Sequence, residues 1–181
     1  MMIADEVIEL MRSRGNTAYL GEPVSQLEHA LQAADLATRA GSQPQLVLAA
    51  LMHDVGHLLH TLPESAADEE IDTRHETAGY EWMLARFGPS IAAPVRDHVA
   101  AKRYLCRVEP DYLTRLSAAS VQSLELQGGP FTDEEARQFE MLPRYREAVL
   151  VRRWDDEAKV PELRVPSIEE YHEMLIVASR R

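Results

Sequence analysis

Six side chains of the kinds that bind transition metals recur along most of the chain. Four are histidines and two are aspartates, and each falls in a stretch that favours a helix: His29, His53, Asp54, His75, His98 and Asp155. Imidazole suits iron, zinc, copper or nickel, and a carboxylate can bridge two cations. This ligand set has the right number and chemistry for two adjacent metal ions. Asp54 is the natural bridge, because it directly follows the ligand His53.

The spacing of the histidines indicates which elements must position them. Successive histidines of the set lie 24, 22 and 23 residues apart, about one helix and one loop each time. Each ligand is therefore expected from a new helix of a bundle, in which facing helices build metal sites in the core.

Hydrogen-bonding or cationic side chains accompany three of the ligands. Each is three or four residues from its ligand, which puts the two on one helical face. These neighbours are His57, Lys102 and Arg152, beside His53, His98 and Asp155 respectively. Such a site suits an anion, because metals hold one end of it and charge-assisted donors hold the rest.

Two consecutive carboxylates compete for the place of the last ligand. Asp155 shares a helical face with Arg152 and Lys159. We therefore predict that Asp155 is the ligand, with Asp156 as the alternative.

Composition limits the classes of partner. The 181 residues suit a single domain over residues 1–181. A net charge of −11 argues against nucleic acid and against an anionic membrane surface. The acidic start is unlike a signal peptide, and the apolar runs are too short to span a membrane. With one cysteine and therefore no internal disulfide, the protein is expected to be cytoplasmic.

Helical periodicity recurs and strand alternation does not, so the fold class is predicted to be all-α, a bundle of about nine or ten helices. Residues 16–22 and the acidic residues 63–72 are predicted loops, and Pro94 is expected to disturb the start of its helix. Capping boxes at Thr132 and Ser167 each predict a helix start. The predicted helices cover residues 1–13, 24–41, 44–62, 73–87, 90–105, 111–127, from 133, 143–159 and from 168.

The pattern H…HD…H…H…D over residues 29–155 resembles the HD-domain superfamily. Residues 51–57 (LMHDVGH) look like the core motif of that family. Most members are metal-dependent phosphohydrolases. The six-ligand version occurs in two-metal phosphodiesterases and in a small branch of oxygenases with a mixed-valence di-iron site.

Three further segments resemble the phosphonate-cleaving oxygenases of the PhnZ type. Residues 19–22 (YLGE), followed by 26–29 (QLEH), are similar to their N-terminal gating segment. Residues 116–130 resemble their phosphonate-binding helix and the loop after it, and residues 151–159 resemble their last ligand segment. The resemblance therefore favours the oxygenase branch.

The resemblance implies two iron ions as cofactors, one Fe(II) and one Fe(III). The first would be bound by His29, His53, Asp54 and Asp155, and the second by Asp54, His75 and His98.

The resemblance also implies a substrate pocket. The phosphonate oxygens would be held by His57, Lys102, Ser120, Ser123 and Arg152. Tyr19 and Glu22 would lie over the mouth of the site and are, with Lys102, the candidate catalytic residues. We also hypothesise that Tyr19 occupies the open iron position until substrate arrives.

The implied reaction consumes O2 and a small zwitterionic phosphonate, and it breaks the carbon–phosphorus bond. A carboxylate such as Glu22 near an anion site is unfavourable unless something positive lies between them, and Tyr19 could add a cation–π face. The expected substrate is 1-hydroxy-2-aminoethylphosphonate or its trimethylammonio analogue, giving phosphate and glycine or glycine betaine. Whether the ammonium is primary or quaternary stays open.

The same residues are also compatible with other interpretations of the site and of the function. Tyr19 and Glu22 could instead pack or cap around the helix start at Pro23. The same metal cage in a phosphohydrolase would activate water against a phosphate ester or nucleotide. A non-catalytic, metal-stabilised helical domain is a further alternative, and the oligomeric state is open.

Overall fold

The computed structural model describes residues 2–19, 21–59 and 75–180. In these ranges the chain is all-α, as predicted, and no helix is long and apolar enough to cross a membrane. Its eleven helices are α1 Ile3–Arg14, α2 Gln26–Arg39, α3 Pro44–Leu51, α4 Val55–Leu59, α5 His75–Phe87, α6 Pro89–Val108, α7 Tyr112–Arg115, α8 Ala118–Leu126, α9 Asp133–Glu140, α10 Tyr145–Glu157 and α11 His172–Ser179.

Helix α6 is the central element of this bundle. It packs against α5 and α10 and also contacts α3, while α2 packs against α3 and α10. Large apolar side chains from these helices fill the core, among them Leu48, Leu51, Met83, Phe87 and Ile91, all at most 2% exposed. Helices α1 and α11 lie against each other and cover one side of this core. The polar ligands therefore sit in a rigid, water-poor frame.

Helix α2 starts at Gln26 rather than at the predicted Val24. The Ser25 side chain accepts a hydrogen bond from the Glu28 amide at 3.2 Å, and the Glu28 carboxylate accepts one from the Ser25 amide at 2.7 Å. This reciprocal cap satisfies two backbone donors and fixes the helix start. It thereby fixes the position of His29, one residue further on.

The prediction of one helix over residues 44–62 is wrong. Helix α3 ends at Leu51, the backbone leaves helical geometry at Met52 (φ −113°, ψ 11°), and α4 starts at Val55. His53 and Asp54 therefore lie in a turn between two helices, where consecutive side chains can point to the same place. The predicted end at Leu62–Pro63 and the acidic loop 63–72 lie outside the described residues.

Helix α6 is longer than predicted, and Pro94 does not break it. It runs from Pro89 to Val108 with Pro94 as its sixth residue. Proline there removes only one backbone hydrogen bond near the helix start. The buried side chains of Ile91 and Val95 hold this turn in the core, so the helix continues to His98 and Lys102.

The predicted helix over residues 111–127 is two helices. Leu116 is extended, and the Ser117 side chain accepts a hydrogen bond from the Ser120 amide at 3.2 Å, which caps the start of α8. The second helix ends at Leu126, just before Gly128 and Gly129, whose φ angles of 96° and 71° suit glycine. The new start places Ser120 and Ser123 on one face of a short helix.

The last two elements also differ in detail from the prediction. Helix α10 starts at Tyr145 rather than Pro143 and ends at Glu157, before Lys159. The capping box of Ser167 and Glu170 is present but opens a single 3₁₀ turn, Ile168–Tyr171, which α11 continues.

Candidate metal centre

Four of the predicted ligands meet in the first half of the centre. His29 comes from α2, His53 and Asp54 from the turn before α4, and Asp155 from α10. The Nε2 atoms of His29 and His53 are 3.0 Å apart. Nε2 of His29 also lies 3.7 Å from Oδ2 of Asp54 and 3.5 Å from Oδ1 of Asp155. These atoms converge closely enough to surround one ion.

Two histidines form the second half together with Asp54. His75 is the first residue of α5, and His98 lies in the middle of α6. Their Nε2 atoms are 3.4 Å apart, and they lie 3.3 and 3.4 Å from Oδ1 of Asp54.

Asp54 joins the two halves through its two oxygens. Oδ2 faces His29 and His53, at 3.7 and 3.5 Å, while Oδ1 faces His75 and His98. A carboxylate placed in this way can bridge two cations. The six predicted ligands are therefore brought together by the fold, with Asp54 in the bridging position.

The orientation of the histidine rings is set by the backbone. In three of them Nδ1 is within hydrogen-bonding distance of a backbone carbonyl oxygen. The distances are 2.8 Å from His29 to Ala158, 2.8 Å from His53 to Ala50 and 2.6 Å from His98 to Val95. A carbonyl oxygen only accepts, so Nδ1 carries the hydrogen and the Nε2 lone pair is free for a metal.

The protonation states of two candidate ligands, His53 and Asp54, also suit metal binding. Burial lowers the pKa of His53 to about 4, so its imidazole is neutral at pH 7. Burial acts to raise the pKa of Asp54, but His53 and the hydrogen bonds to His75 and His98 outweigh it, and the pKa falls well below its usual value. Neutral imidazole and ionised carboxylate are the forms that bind metals, so these residues fit a metal cofactor.

Asp155, rather than Asp156, faces the centre. Its Oδ1 atom lies among the histidines, and its Oδ2 atom is 2.6 Å from Nη1 of Arg152. Asp156 instead accepts hydrogen bonds from Arg152 and from the Tyr112 hydroxyl. The geometry thus agrees with the choice of Asp155 made from helical spacing.

A group of hydrogen-bonding side chains lies next to Arg152. It consists of Arg152 itself, Lys102, Ser120 and Ser123, and is called the donor wall below. Lys102 is 2% exposed and donates to Oγ of Ser123 at 2.7 Å, while Oγ of Ser120 accepts from Nζ of Lys159 at 3.1 Å. Burial and the neighbouring charge of Arg152 lower the pKa of Lys102 to about 7. The residues predicted to hold an anion are therefore grouped beside the centre.

His57 lies beside the second half of the centre. Its ring stacks on that of His75, with centroids 4.0 Å apart. Burial lowers the pKa of His57 to about 3, and its buried Nε2 atom has no hydrogen-bond partner among the described residues. A buried polar atom without a partner usually marks a place where a ligand or water binds.

Tyr19 reaches into the first half of the centre. Its hydroxyl donates to Oδ2 of Asp54 at 2.8 Å and lies 3.4 Å from Oδ1 of Asp155. Its ring stacks on His29 with centroids 3.9 Å apart. The contact with two candidate ligands favours the gating hypothesis over simple packing at the Pro23 helix start.

Comparison with known proteins identifies the family of this helical chain. The profile of the HD domain matches residues 27–159. The chain belongs to the HD-domain family. The superfamily predicted from the ligand pattern is thereby confirmed.

Curated relatives of this HD domain include two named enzymes. The chain is 47% identical over 174 residues to the hydroxymethylphosphonate dioxygenase of Gimesia maris, which covers 92% of this chain and 83% of that protein. It is 44% identical over 154 residues to the 1-hydroxy-2-(trimethylamino)ethylphosphonate dioxygenase (glycine-betaine-forming) of Leisingera caerulea, covering 84% and 78%. An uncharacterized protein of Acanthamoeba polyphaga mimivirus is 33% identical over 172 residues, covering 94% and 78%. The predicted oxygenase branch and the prediction of an oxidoreductase are thereby confirmed.

Two residues near the centre of this HD domain are not among those predicted from the sequence to line the site. Lys159 lies with its Nζ atom 3.4 Å from Oε1 of Glu22, close enough for an ion pair though without the alignment of a hydrogen bond. A Cβ atom on Gly56 would lie 1.9 Å from the carbonyl oxygen of His75. The spacing of Lys159 from Asp155 was a signal for the first, whereas nothing in the sequence pairs Gly56 with His75.

Proposed function

We propose that this protein is a di-iron dioxygenase that uses O2 to cleave the carbon–phosphorus bond of a small 1-hydroxyphosphonate and releases phosphate. The observation that carries the proposal is the division of the Asp54 oxygens between two histidine groups, beside the donor wall of Lys102 and Arg152. Two relatives that act on phosphonates support it.

The metal roles follow the two halves of the centre. One iron would be held by His29, His53, Asp54 and Asp155, and the other by Asp54, His75 and His98. When bound, the iron pair, Fe(II) and Fe(III), supplies substrate chelation and oxygen activation. The protein fixes the ring orientations through the carbonyls that accept from Nδ1.

The donor wall would bind and orient the phosphonate. Lys102 and Arg152 supply charge, and the hydroxyls of Ser120 and Ser123 supply further hydrogen bonds. A dianion beside Lys102 favours the charged form of its amine, which burial alone disfavours. His57, which stacks on His75, would supply its unpartnered Nε2 atom.

Tyr19 would close the site in the absence of substrate. Its hydroxyl already contacts Asp54 and Asp155, so a substrate that approaches the first half must displace it. Oxygen activation without substrate would thereby be suppressed.

The shared part of the substrates is the carbon that bears both hydroxyl and phosphorus. O2 oxidises this carbon to a carboxylate as phosphate leaves, and the substrate supplies all four electrons, so no external reductant is consumed. The 2-amino and 2-trimethylammonio compounds would give glycine and glycine betaine. Hydroxymethylphosphonate, the compound in the name of one relative, would give formate.

Phosphate release by the iron-loaded protein tests the proposal. Each phosphonate is offered in air and under anaerobic conditions, with metal-free protein as the control. Phosphate release that requires both iron and O2 supports a dioxygenase. Phosphate-ester hydrolysis with Mn or Co under anaerobic conditions, and no reaction with any phosphonate, would establish the HD phosphohydrolase instead.

A further inference from the structure

One ion pair ties Glu22, whose amide donates to the carbonyl oxygen of Tyr19, to the segment that follows α10. Lys159 lies two residues beyond the end of α10, with Nζ 3.4 Å from Oε1 of Glu22 and 3.1 Å from Oγ of Ser120. Both charged side chains are only 12% exposed. The pair is therefore poorly screened by solvent, and it joins the mouth of the site to its donor wall.

The backbone on both sides of Lys159 is fixed to α2. The carbonyl oxygen of Ala158 lies 2.8 Å from Nδ1 of His29. The Gln32 side chain exchanges two hydrogen bonds with the backbone of Val160, at 2.8 and 3.0 Å. The hydrogen bonds of its two neighbours thus hold Lys159 beside Glu22. Its ammonium group therefore has a fixed position in the site.

The ion pair between Lys159 and Glu22 changes which substrate charge the pocket favours. A lone Glu22 carboxylate would call for a cation at the far end of the substrate. Lys159 already supplies that cation from the protein. An incoming ammonium would have to displace Lys159 from Glu22 or lie beside a like charge, and both are unfavourable.

We propose that Lys159 is a specificity-determining residue that, by neutralising Glu22, makes the site select 1-hydroxyphosphonates without a cationic substituent. Hydroxymethylphosphonate is the smallest member of that class. The inference rests on the proposed function and narrows its substrate. Lys159 acts through Glu22 and is therefore a positioning residue, not a catalytic one.

A double-mutant cycle on Lys159 and Glu22 tests the inference. The measured quantity is the ratio of kcat/KM for hydroxymethylphosphonate to that for 1-hydroxy-2-aminoethylphosphonate. Wild type is expected to prefer the former, and Lys159→Met to shift the ratio about tenfold towards the amine, because Glu22 is then free to pair with it. The shift should vanish in the Glu22→Gln background, since no carboxylate remains. Lys159→Arg should restore the wild-type ratio.

Two controls separate this effect from general damage. Ser120→Ala removes the other partner of Lys159 and should weaken both substrates alike, leaving the ratio unchanged. Arg164→Met removes an exposed cation from the same region and should leave both constants as in wild type.

The inference and the proposed function fail in different ways. Anaerobic calorimetric binding of the same two phosphonates gives a second ratio that needs no turnover. Wild-type preference for the amine, or an unchanged ratio in Lys159→Met by either readout, overturns the inference while leaving the dioxygenase in place. Absence of oxygen-dependent phosphate release from both compounds overturns the proposed function, and the binding ratio then still decides the role of Lys159.

Discussion

Asp54 is the residue through which the two halves of the centre depend on each other. Each of its oxygens faces a different pair of histidines. An amide in its place has one oxygen and a nitrogen that cannot bind a metal. Removing the carboxylate should therefore affect both ions, whereas loss of a histidine should first affect only its own half.

Asp54→Asn is expected to reduce iron content from about two ions per chain to about one or fewer and to abolish phosphate release. Elemental analysis of the purified, anaerobically reconstituted protein measures the content. Asp97→Asn is the matched control, because Asp97 is equally buried, at 7% against 8% exposed, but pairs with Arg96 instead. Full iron content in Asp54→Asn would rule out the bridge.

Tyr19→Phe should uncouple oxygen consumption from substrate. The substitution keeps the ring that stacks on His29 but removes the hydroxyl that contacts Asp54 and Asp155. We expect oxygen uptake in the absence of phosphonate to rise about tenfold or more. An oxygen electrode measures this rate. Uptake that remains as dependent on substrate as in wild type would contradict the gating role.

Lys102 should make the metal-free protein less stable at lower pH. Its pKa is about 7 when folded and about 10.5 when unfolded. Unfolding therefore takes up a proton between these values, and the contribution of Lys102 to the free energy of unfolding rises with pH across that window. At and below pH 7 its full unfavourable contribution is present.

Lys102→Met is accordingly expected to raise the free energy of unfolding of metal-free protein by about 1–3 kcal/mol near pH 6.5, and by far less near pH 10. Urea titrations of both proteins at the two pH values measure the difference. An equal change at both values would mean that burial of the charge is not its cause.

At the scale of elements, the turn between α3 and α4 decides the geometry. The break at Met52 lets consecutive residues, His53 and Asp54, face one centre. Immediately afterwards Gly56 allows the start of α5 to approach closely, since a Cβ there would meet the carbonyl oxygen of His75 at 1.9 Å. This carbonyl oxygen belongs to the backbone, so it cannot move aside as the end of a flexible side chain could.

Gly56→Ala should therefore push α5 away and misplace His75. We expect a loss of about 1–3 kcal/mol in unfolding free energy and loss of one of the two irons. Gly41→Ala is the comparison, because it carries the strain of a φ of 70° but meets nothing within 4 Å. It should lose stability without losing metal. If Gly56→Ala binds two irons normally, the close approach is not what positions His75.

Local signals in the sequence predicted most elements but not their interruptions. Capping residues such as Thr132 and glycines such as Gly88 set the ends of helices through nearby atoms, which a sequence shows. The break at Met52 has no such signal, because apolar residues continue from Leu51 to Val55 at helical spacing. It is stabilised by tertiary contacts, which a sequence does not display.

The candidate site shows the same limit. Helical spacing does not separate Asp155 from Asp156, because Arg152 is three residues from one and four from the other and pairs with both. The pairing of Glu22 with Lys159 joins residues far apart in sequence, and no local pattern could reveal it. The net charge of the substrate pocket, which depends on such distant pairs, is therefore harder to predict from sequence than the candidate metal ligands.

In the molecule as a whole, the candidate metal centre brings together parts of the chain that are far apart in sequence. Its ligands come from α2, the turn after α3, α5, α6 and α10. A metal that binds this arrangement binds only the native state and therefore stabilises it. Without metal, the Nε2 atoms of the four histidines face one another and the carboxylates of Asp54 and Asp155.

Iron loading at about one hundred times the dissociation constant should add about 2.7 kcal/mol of stability, or about 5–10 °C in Tm for a chain of this length. Anaerobic calorimetry with and without a chelator measures the shift. His98→Ala should show a reduced shift, and His172→Ala, at a partly exposed histidine paired with Asp5, should show the full one. Equal shifts in both variants would mean that the metal binds elsewhere.

The spread of ligands along the chain also determines when the centre can exist during synthesis. The first candidate ligand is residue 29 and the last is residue 155, so 126 further residues, Asp155 included, must be joined after His29 to complete the set. At about 5–20 residues per second, translation of this stretch takes about 6–25 s. All four histidines leave the ribosome before the carboxylate that completes the first half. The complete candidate ligand set is therefore available only once α10 has been synthesised, and the earlier helices must be made before the metal can meet all six side chains.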